Sequence, residues 1–190
     1  MKAAFVVFDN MTSLDFIGFY DPITRLKTMK FIEDFTWNIC ACSTTITDDR
    51  GLKIAADTVG ESLAGYDLLF IPGGFGTRPL QHDRAFVDWI ATAQNVPLKT
   101  SVCTGALLLG AAGFLKGKRA TTHPSAYKEL EPYCATVVRE RIVDEGDIVT
   151  GGGVSTSIDL GLHLVQRLAG AEARARIAKQ MDYPYQSQQH

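Results

Sequence analysis

LKTSVCTGALLLGAAG, residues 98–113, joins a short apolar segment to a longer one, with Cys103 at the junction. We predict a strand over Leu98–Val102 and a helix over Thr104–Leu115, which leaves no room for a relaxed loop between them. A tight turn of this kind projects its central side chain above the edge of the sheet. It also gathers the unpaired N–H groups of the new helix beneath that side chain. The stretch therefore predicts a nucleophile-elbow cysteine.

Cys103 has two interpretations. In the first it is a candidate nucleophile, because the positive end of a helix lowers a thiol pKa and the same N–H groups stabilise negative charge on a substrate. We then expect its thiol to be ionised near neutral pH. In the second, a cysteine close to Val102 and Ala106 is a small buried apolar side chain, as free cysteines commonly are.

The rest of the chain alternates apolar strands with helices. Because most strands are apolar on both faces, we predict a mostly parallel sheet with helices on both sides, a flavodoxin-like α/β sandwich. The inward face of the first helix is expected to carry Leu14, Ile17, Tyr20 and Ile23. The predicted strands are 2–8, 36–43, 67–72, 98–102, 119–122, 137–141, 142–143 and 147–150, with a hairpin at 45–47 and 53–55, and the helices are 14–27, 83–94, 104–115, 125–130, 155–169 and 171–181.

The composition predicts one domain with an ordinary hydrophobic core. The 190 residues are 46% hydrophobic and 21% charged, and we expect a single domain over residues 1–190. A net charge of −2 without basic clusters predicts no nucleic-acid or membrane partner. The N-terminal apolar run of about five residues is too short for a signal peptide, so we expect a cytoplasmic protein. Four scattered cysteines do not resemble a disulfide framework.

Candidate site residues follow several predicted strands. They are Asp15, the Gly73–Gly74 turn, Cys103 and His123. Ligands of doubly wound folds bind at the carboxyl ends of the strands, so we expect this sheet edge to gather them. No spacing indicates a metal site. The glycine run 151–153 lacks the P-loop ending and the dinucleotide-binding spacing, and it predicts a structural turn.

Each of these residues also has a purely structural interpretation. Paired glycines usually mark a tight turn, although an N–H group of Gly73–Gly74 would complete an anion-stabilising pair with the Thr104 amide. Asp15 either complements the dipole of its helix or, if buried, has a raised pKa and shares a proton with Cys103. His123 is either an acid–base group or a cap for a neighbouring carbonyl.

Four separated segments, in the same order, resemble the ThiJ/PfpI superfamily within the class I glutamine amidotransferase-like fold. The resemblance covers nearly the whole chain and is closest to the isonitrile (isocyanide) hydratases. Sensor domains of AraC-type regulators share the CTG and TTH patterns, but the sequence ends at His190, so we expect no helix-turn-helix module. The segments are VCTGALLLGAAGFLKGKRATTH (102–123), DLLFIPGGFGT (67–77), TSLDFIGFYDP (12–22) and TGGGVSTSIDLGLHL (150–164).

The resemblance implies a lyase that hydrates isocyanides to N-formamides and needs no cofactor or metal. It assigns Cys103 as the nucleophile, with Asp15 and Thr104 as further catalytic residues. Gly73 and Gly74 match the turn that faces the nucleophile, and with His123 they are the expected substrate-binding residues. A small-molecule substrate and a homodimer are implied as well.

The expected chemistry starts at the terminal carbon of R–N≡C. The Cys103 thiolate attacks this carbon, Asp15 supplies a proton to give a thioimidate, and water then releases the N-formamide. Because the substrate is apolar apart from one end, we expect an apolar pocket lined by Phe16, Ile17, Phe19 and Phe75.

Two alternatives remain open. His123 followed by Pro124 matches glyoxalase-like and deglycase-like relatives, in which Cys103 and His123 would act on methylglyoxal. A non-enzymatic redox or small-molecule sensor would instead use oxidation of a stabilised Cys103 thiolate. A PfpI-type Cys-His peptidase is disfavoured, because Thr104 stands where those proteases have histidine.

Overall fold

The computed structural model describes residues 1–184, so His190, the end of the predicted domain, lies outside the described residues. The strands are β1 (Lys2–Val6), β2 (Thr36–Ala41), β3 (Thr45–Thr47), β4 (Lys53–Ala55), β5 (Thr58–Val59), β6 (Leu68–Ile71), β7 (Leu98–Val102), β8 (Arg119–Ala120), β9 (Thr136–Val137), β10 (Ile142–Asp144) and β11 (Ile148–Gly151). The helices are α1 (Ser13–Thr28), α2 (Thr77–Leu80), α3 (Arg84–Ala91), α4 (Gly105–Ala111), α5 (Tyr127–Leu130) and α6 (Thr156–Gln180).

A central sheet organises this part of the chain. Its strands run in the order β10-β11-β7-β6-β1-β2-β5. All neighbouring pairs are parallel except β10 and β11. The predicted α/β fold with a mostly parallel sheet is therefore confirmed, as is the β3–β4 hairpin. All residues of β6 and β7 are buried. This agrees with the uninterrupted apolar sequence of β6, whereas β7 also buries the polar residues Lys99, Thr100 and Ser101.

The helices pack in two groups. Helices α1 and α6 contact each other, and α4 contacts α2, α3 and α5. Close approach of α1 and α6 depends on two glycines, because a Cβ at Gly18 would lie 2.1 Å from Ser157 Oγ and one at Gly161 would lie 2.4 Å from Pro22 Cγ. Among the described helices, none is long and apolar enough to cross a membrane.

The predicted inward face of α1 is wrong for two of its four residues. Leu14 and Ile17 are 50% and 45% exposed, whereas Ile23 is fully buried. The core side of the helix instead carries Asp15, Phe16, Phe19, Ile23 and Leu26. Phe19 stacks on Phe70 with ring centroids 3.9 Å apart, and this contact with the sheet decides which stripe of the helix faces inward.

Two helix boundaries follow from glycines in the left-handed region. The helix after Cys103 ends at Ala111 rather than Leu115, close to Gly113 with its φ of +85°. The last two predicted helices join as α6, and Gly170 interrupts the helical geometry between them with a φ of 87°.

Candidate active site

Cys103 lies in a strained turn between β7 and α4. Its φ is +56°, a left-handed conformation that costs a non-glycine residue about 1 kcal/mol or more. The surrounding backbone holds it there, since the Cys103 N–H donates to the carbonyls of Gly151 and Gly152 at 3.0 and 2.7 Å. The Cys103 carbonyl accepts a hydrogen bond from the Thr122 hydroxyl at 2.7 Å. The predicted elbow is thus present, and its side chain is only 6% exposed.

Asp15 reaches the same point from the first turn of α1. Its side chain is fully buried, and Oδ2 accepts a hydrogen bond from the Gly73 N–H at 3.0 Å. Oδ1 is buried without a protein donor of normal hydrogen-bond geometry. Burial raises the pKa of Asp15 to about 7, although hydrogen bonds from Cys103 and Gly73 oppose that rise. Asp15 therefore exchanges a proton readily near neutral pH.

The expectation that the helix lowers the thiol pKa of Cys103 is wrong. Burial, together with the negative charge of Asp15, raises the pKa of Cys103 to about 12. The Thr104 amide does stabilise the thiolate, as the helix argument requires. Its effect is smaller than those of the Asp15 charge and of burial, which removes Cys103 from nearly all contact with water.

Cys103 and Asp15 therefore form one proton-sharing pair. Near neutral pH the thiol keeps its proton, and the adjacent carboxylate is the group that can accept it. A nucleophile of this kind is activated at the moment of attack, when its proton moves to the neighbouring base. Asp15 then holds an acidic proton next to the reacting atom, which it can return.

The Gly73–Gly74 turn covers the pair, but its amides are not free. The Gly73 N–H donates to Asp15, and the Gly74 N–H donates to the Thr104 hydroxyl at 3.0 Å. An anion-stabilising pair made of a glycine amide and the Thr104 amide would require one of these bonds to break. A Cβ at Gly73 would lie within 2.9 Å of the Thr104 amide nitrogen, Cys103 Cβ and Asp15 Oδ2, so the turn fits closely over the nucleophile.

His123 follows the short strand β8, as expected, but its ring is engaged elsewhere. Its Nδ1 atom accepts a hydrogen bond from the Ser125 N–H at 3.2 Å and lies 2.8 Å from Ser125 Oγ. In residues 1–184 no hydrogen bond joins the His123 ring to Cys103 or Asp15. The structure therefore brings Asp15, Gly73, Gly74, Cys103 and Thr104 together and leaves His123 as the cap of a 3-10 turn.

The predicted apolar pocket is not formed by the four residues proposed for it. Phe16 and Phe19 lie in the core, 2% and 0% exposed, and Phe75 is 72% exposed. The structure has a cavity of about 300 Å³, but none of the predicted site residues lines it. Its lining residues are Val7, Phe8, Asp9, Asn10, Cys42, Ser43, Ile46, Gly76, Pro79, Leu80 and Phe86.

Sequence reasoning missed the residues that hold the elbow. Thr122 belongs to the quoted TTH pattern, but only the structure shows its hydroxyl on the Cys103 carbonyl. Gly151 and Gly152 were predicted as a structural turn, and their carbonyls fix the Cys103 amide. Residues that act through backbone carbonyls, such as these glycines, cannot be recognised from the chemistry of their side chains. For Thr122, the TTH pattern was the one signal in the sequence.

Comparisons with known proteins agree with the predicted fold. A model of the DJ-1/PfpI family matches residues 1–167. An isonitrile hydratase from Pseudomonas putida is 36% identical over 185 residues, which is 96% of this chain and 78% of that protein. Protein DJ-1 homolog A from Arabidopsis thaliana is 33% identical over 128 residues, 65% of this chain and 33% of that longer protein. The crystal structure of a ThiJ/PfpI family protein from Pseudomonas syringae matches with a TM-score of 0.87 and 29% identity, covering 100% of this chain and 77% of that one.

Proposed function

The chain belongs to the DJ-1/PfpI family, and on that premise we propose that it is a lyase that hydrates isocyanides to N-formamides. The observation that carries the proposal is the pairing of Cys103 with Asp15, a carboxyl group whose pKa burial raises to about 7. Hydration of R–N≡C needs a nucleophile and a proton at the same carbon, and this pair supplies both. The similarity to an isonitrile hydratase supports the same reaction.

In the first step the sulfur of Cys103 bonds to the terminal carbon of the isocyanide. The thiol proton passes to the Asp15 carboxylate as the S–C bond forms, because the thiol keeps its proton at neutral pH. Asp15 then delivers this proton to the same carbon. The product is a thioimidate, Cys–S–CH=N–R, and the pair has returned its proton to the substrate.

In the second step water converts the thioimidate to the product. Its oxygen bonds to the carbon and its proton reaches the nitrogen through Asp15, giving Cys–S–CH(OH)–NH–R. The C–S bond then breaks as the O–H proton returns to the pair, and HCO–NH–R is released. The reaction changes no oxidation state, so it needs no redox cofactor. We propose that Thr104 keeps the Gly73–Gly74 turn in place through its hydroxyl.

Turnover of an aliphatic isocyanide, with cyclohexyl isocyanide as the probe and formamide measured by NMR, tests the proposal. We expect no formamide above background with Cys103→Ala, and a loss of about 100-fold or more with Asp15→Asn. Cys134→Ala is the matched control, because Cys134 is a free cysteine that does not line the cavity. Full turnover by Cys103→Ala would refute the proposal.

The same protein preparation is also assayed with methylglyoxal as the substrate. Lactate formation that disappears in His123→Ala, without isocyanide turnover, would favour a glyoxalase-like enzyme instead. We expect no lactate, because the hydrogen bonds of the His123 ring go to Ser125 and not to the reacting pair. We also propose that the protein acts in the cytoplasm, as a single domain, on a small-molecule substrate.

A further inference from the structure

The β3–β4 hairpin packs its turn against the start of α1, two residues before the helix reaches Asp15. The Asp49 N–H donates to the Met11 carbonyl at 3.0 Å, and the Asn10 N–H donates to the Thr47 carbonyl at 2.8 Å. The hairpin is therefore joined to the loop that leads into α1 by backbone bonds at two points.

Two aspartates of the hairpin turn also bind the first side chains of α1. Asp49 Oδ2 accepts a hydrogen bond from the Thr12 hydroxyl at 3.1 Å, and Asp48 Oδ2 accepts one from the Ser13 hydroxyl at 2.5 Å. Thr12 is the N-cap residue of α1, yet its side chain does not cap the helix. Its hydroxyl is turned outward to Asp49, so the carboxylates of the hairpin take part in fixing the helix start.

The other side of this helix start is held by the active-site turn. The Thr12 N–H donates to the Gly73 carbonyl at 2.9 Å. Gly74 lies so close that a Cβ there would be 2.5 Å from the Thr12 nitrogen. The segment Met11–Thr12 is thus enclosed between the Gly73–Gly74 turn and the hairpin, and the Thr12 carbonyl accepts a hydrogen bond from the Asp15 N–H at 3.0 Å.

We propose that Asp49 is a positioning residue of the active site, whose nearly buried carboxylate anchors the start of the helix that carries Asp15. The proposal deepens the proposed function, since it concerns the proton that Asp15 would transfer. Asp48 has a different part, because its Oδ1 accepts the N–H groups of Arg50 and Leu52 and so holds the hairpin turn itself.

The charges around these groups agree with this assignment. Cys103 faces Asp15 from the elbow, and Asp49 faces it from the hairpin, where its charge contributes to the raised pKa of Asp15. The Asp49 side chain is only 11% exposed, so water screens it weakly. Its ion-pair partner Arg50 lies 2.9 Å away but is 72% exposed, and it offsets the charge of Asp49 only in part.

The test is a titration of the Asp15 carboxyl carbon by 13C NMR, with the signal assigned by its loss in Asp15→Asn. We expect a wild-type midpoint of about 7. In Asp49→Asn, which keeps an acceptor for Thr12 but removes the charge, the midpoint should fall by roughly half a pH unit. Asp88→Asn is the matched control, because Asp88 is a 69% exposed partner of Arg84 on α3, and it should leave the midpoint unchanged.

Arg50→Gln should shift the Asp15 midpoint in the opposite direction. It is the second variant of the test, to be used if Asp49→Asn fails to fold. Removal of the positive charge leaves Asp49 uncompensated, so the Asp15 midpoint should rise. If Asp49→Asn folds and the Asp15 midpoint is unchanged in it, the proposal is overturned. If Asp49→Asn does not fold, the proposal is overturned when the Asp15 midpoint fails to rise in Arg50→Gln. The titration uses no isocyanide, so absence of turnover would refute the proposed function and leave this result standing.

Discussion

At the scale of single residues, the site depends on two buried groups that cannot both be charged. A thiol in contact with water would ionise more easily than Cys103, but its proton would then go to solvent. Burial keeps the proton on the sulfur and raises the pKa of Asp15 to about 7, so the proton has one nearby acceptor. Desolvation therefore has a larger effect on the pKa of Cys103 than the helix terminus has. The amide at the helix terminus stabilises the thiolate, but the thiol remains the resting form.

This pairing predicts the pH dependence of catalysis. The reactive form of the pair holds a single proton, and a second proton on Asp15 removes the base that activates Cys103. We expect kcat/KM for an isocyanide to rise with pH and to level off above a midpoint of about 7. The measurement is a profile between about pH 5 and 9, on enzyme whose folding is checked by circular dichroism at each point. A profile without a rise in this range would contradict the role of Asp15.

At the scale of elements, the position of Asp15 depends on how α1 sits against α6. Glycines on both helices allow the backbones to approach, and the Ser157 hydroxyl of α6 donates to the Leu14 carbonyl at 3.1 Å. Leu14 directly precedes Asp15, so this contact reaches the catalytic turn of the helix. The helix pair therefore supports the site in addition to the hairpin.

Gly161→Ala tests the helix contact. The new methyl group would lie 2.4 Å from Pro22 Cγ and 3.2 Å from the Phe19 carbonyl oxygen, so α1 and α6 must separate. We expect the free energy of unfolding, measured with urea, to fall by about 1–3 kcal/mol. Gly65→Ala is the control, since a Cβ there meets nothing within 4 Å, and it should leave stability nearly unchanged. Equal stability of the two variants would show that the helix contact is not tight.

At the scale of the whole molecule, the sheet brings the ends of three strands to one edge. Strands β1, β6 and β7 are neighbours and parallel, so the segments that follow them carry Asp15, Gly73 and Cys103 to the same place. Helix α1 also presents Leu14 and Ile17 outward, 50% and 45% exposed, on the side away from the core. Two large apolar side chains next to each other on an exposed helix face suit burial against another protein surface.

We propose that a second copy of this chain covers that face, in keeping with the homodimer that the family resemblance implies. Sedimentation velocity should show a dimer for the wild type. Ile17→Glu should weaken it by at least about tenfold, because burial of a charge without a partner is costly. Val59→Glu is the control, as Val59 is a 42% exposed apolar residue at the sheet edge formed by β5. A dimer equally stable in Ile17→Glu, or a wild type that stays monomeric, would exclude this interface.

Much of the molecule follows from local sequence. The bounds of β7, the β3–β4 hairpin and the break at Gly170 were all predicted, because apolar periodicity and glycine position act over a few residues. The choice of Cys103 and Asp15 came from the strand-to-helix junction and the motif resemblance. The sequence predicts that Cys103 and Asp15 lie at the same sheet edge. The neighbouring parallel strands β1, β6 and β7 make that possible.

Tertiary structure alone decided three further features. The stacking of Phe19 on Phe70 selected the buried face of α1 and left Ile17 outside. Hydrogen bonds between distant segments determined which groups the Gly73 and Gly74 amides bind. Burial set the direction of the Cys103 pKa, against the prediction from the helix terminus. Sequence determines which groups are present and how the chain turns locally, whereas desolvation depends on neighbours that only the folded chain brings together.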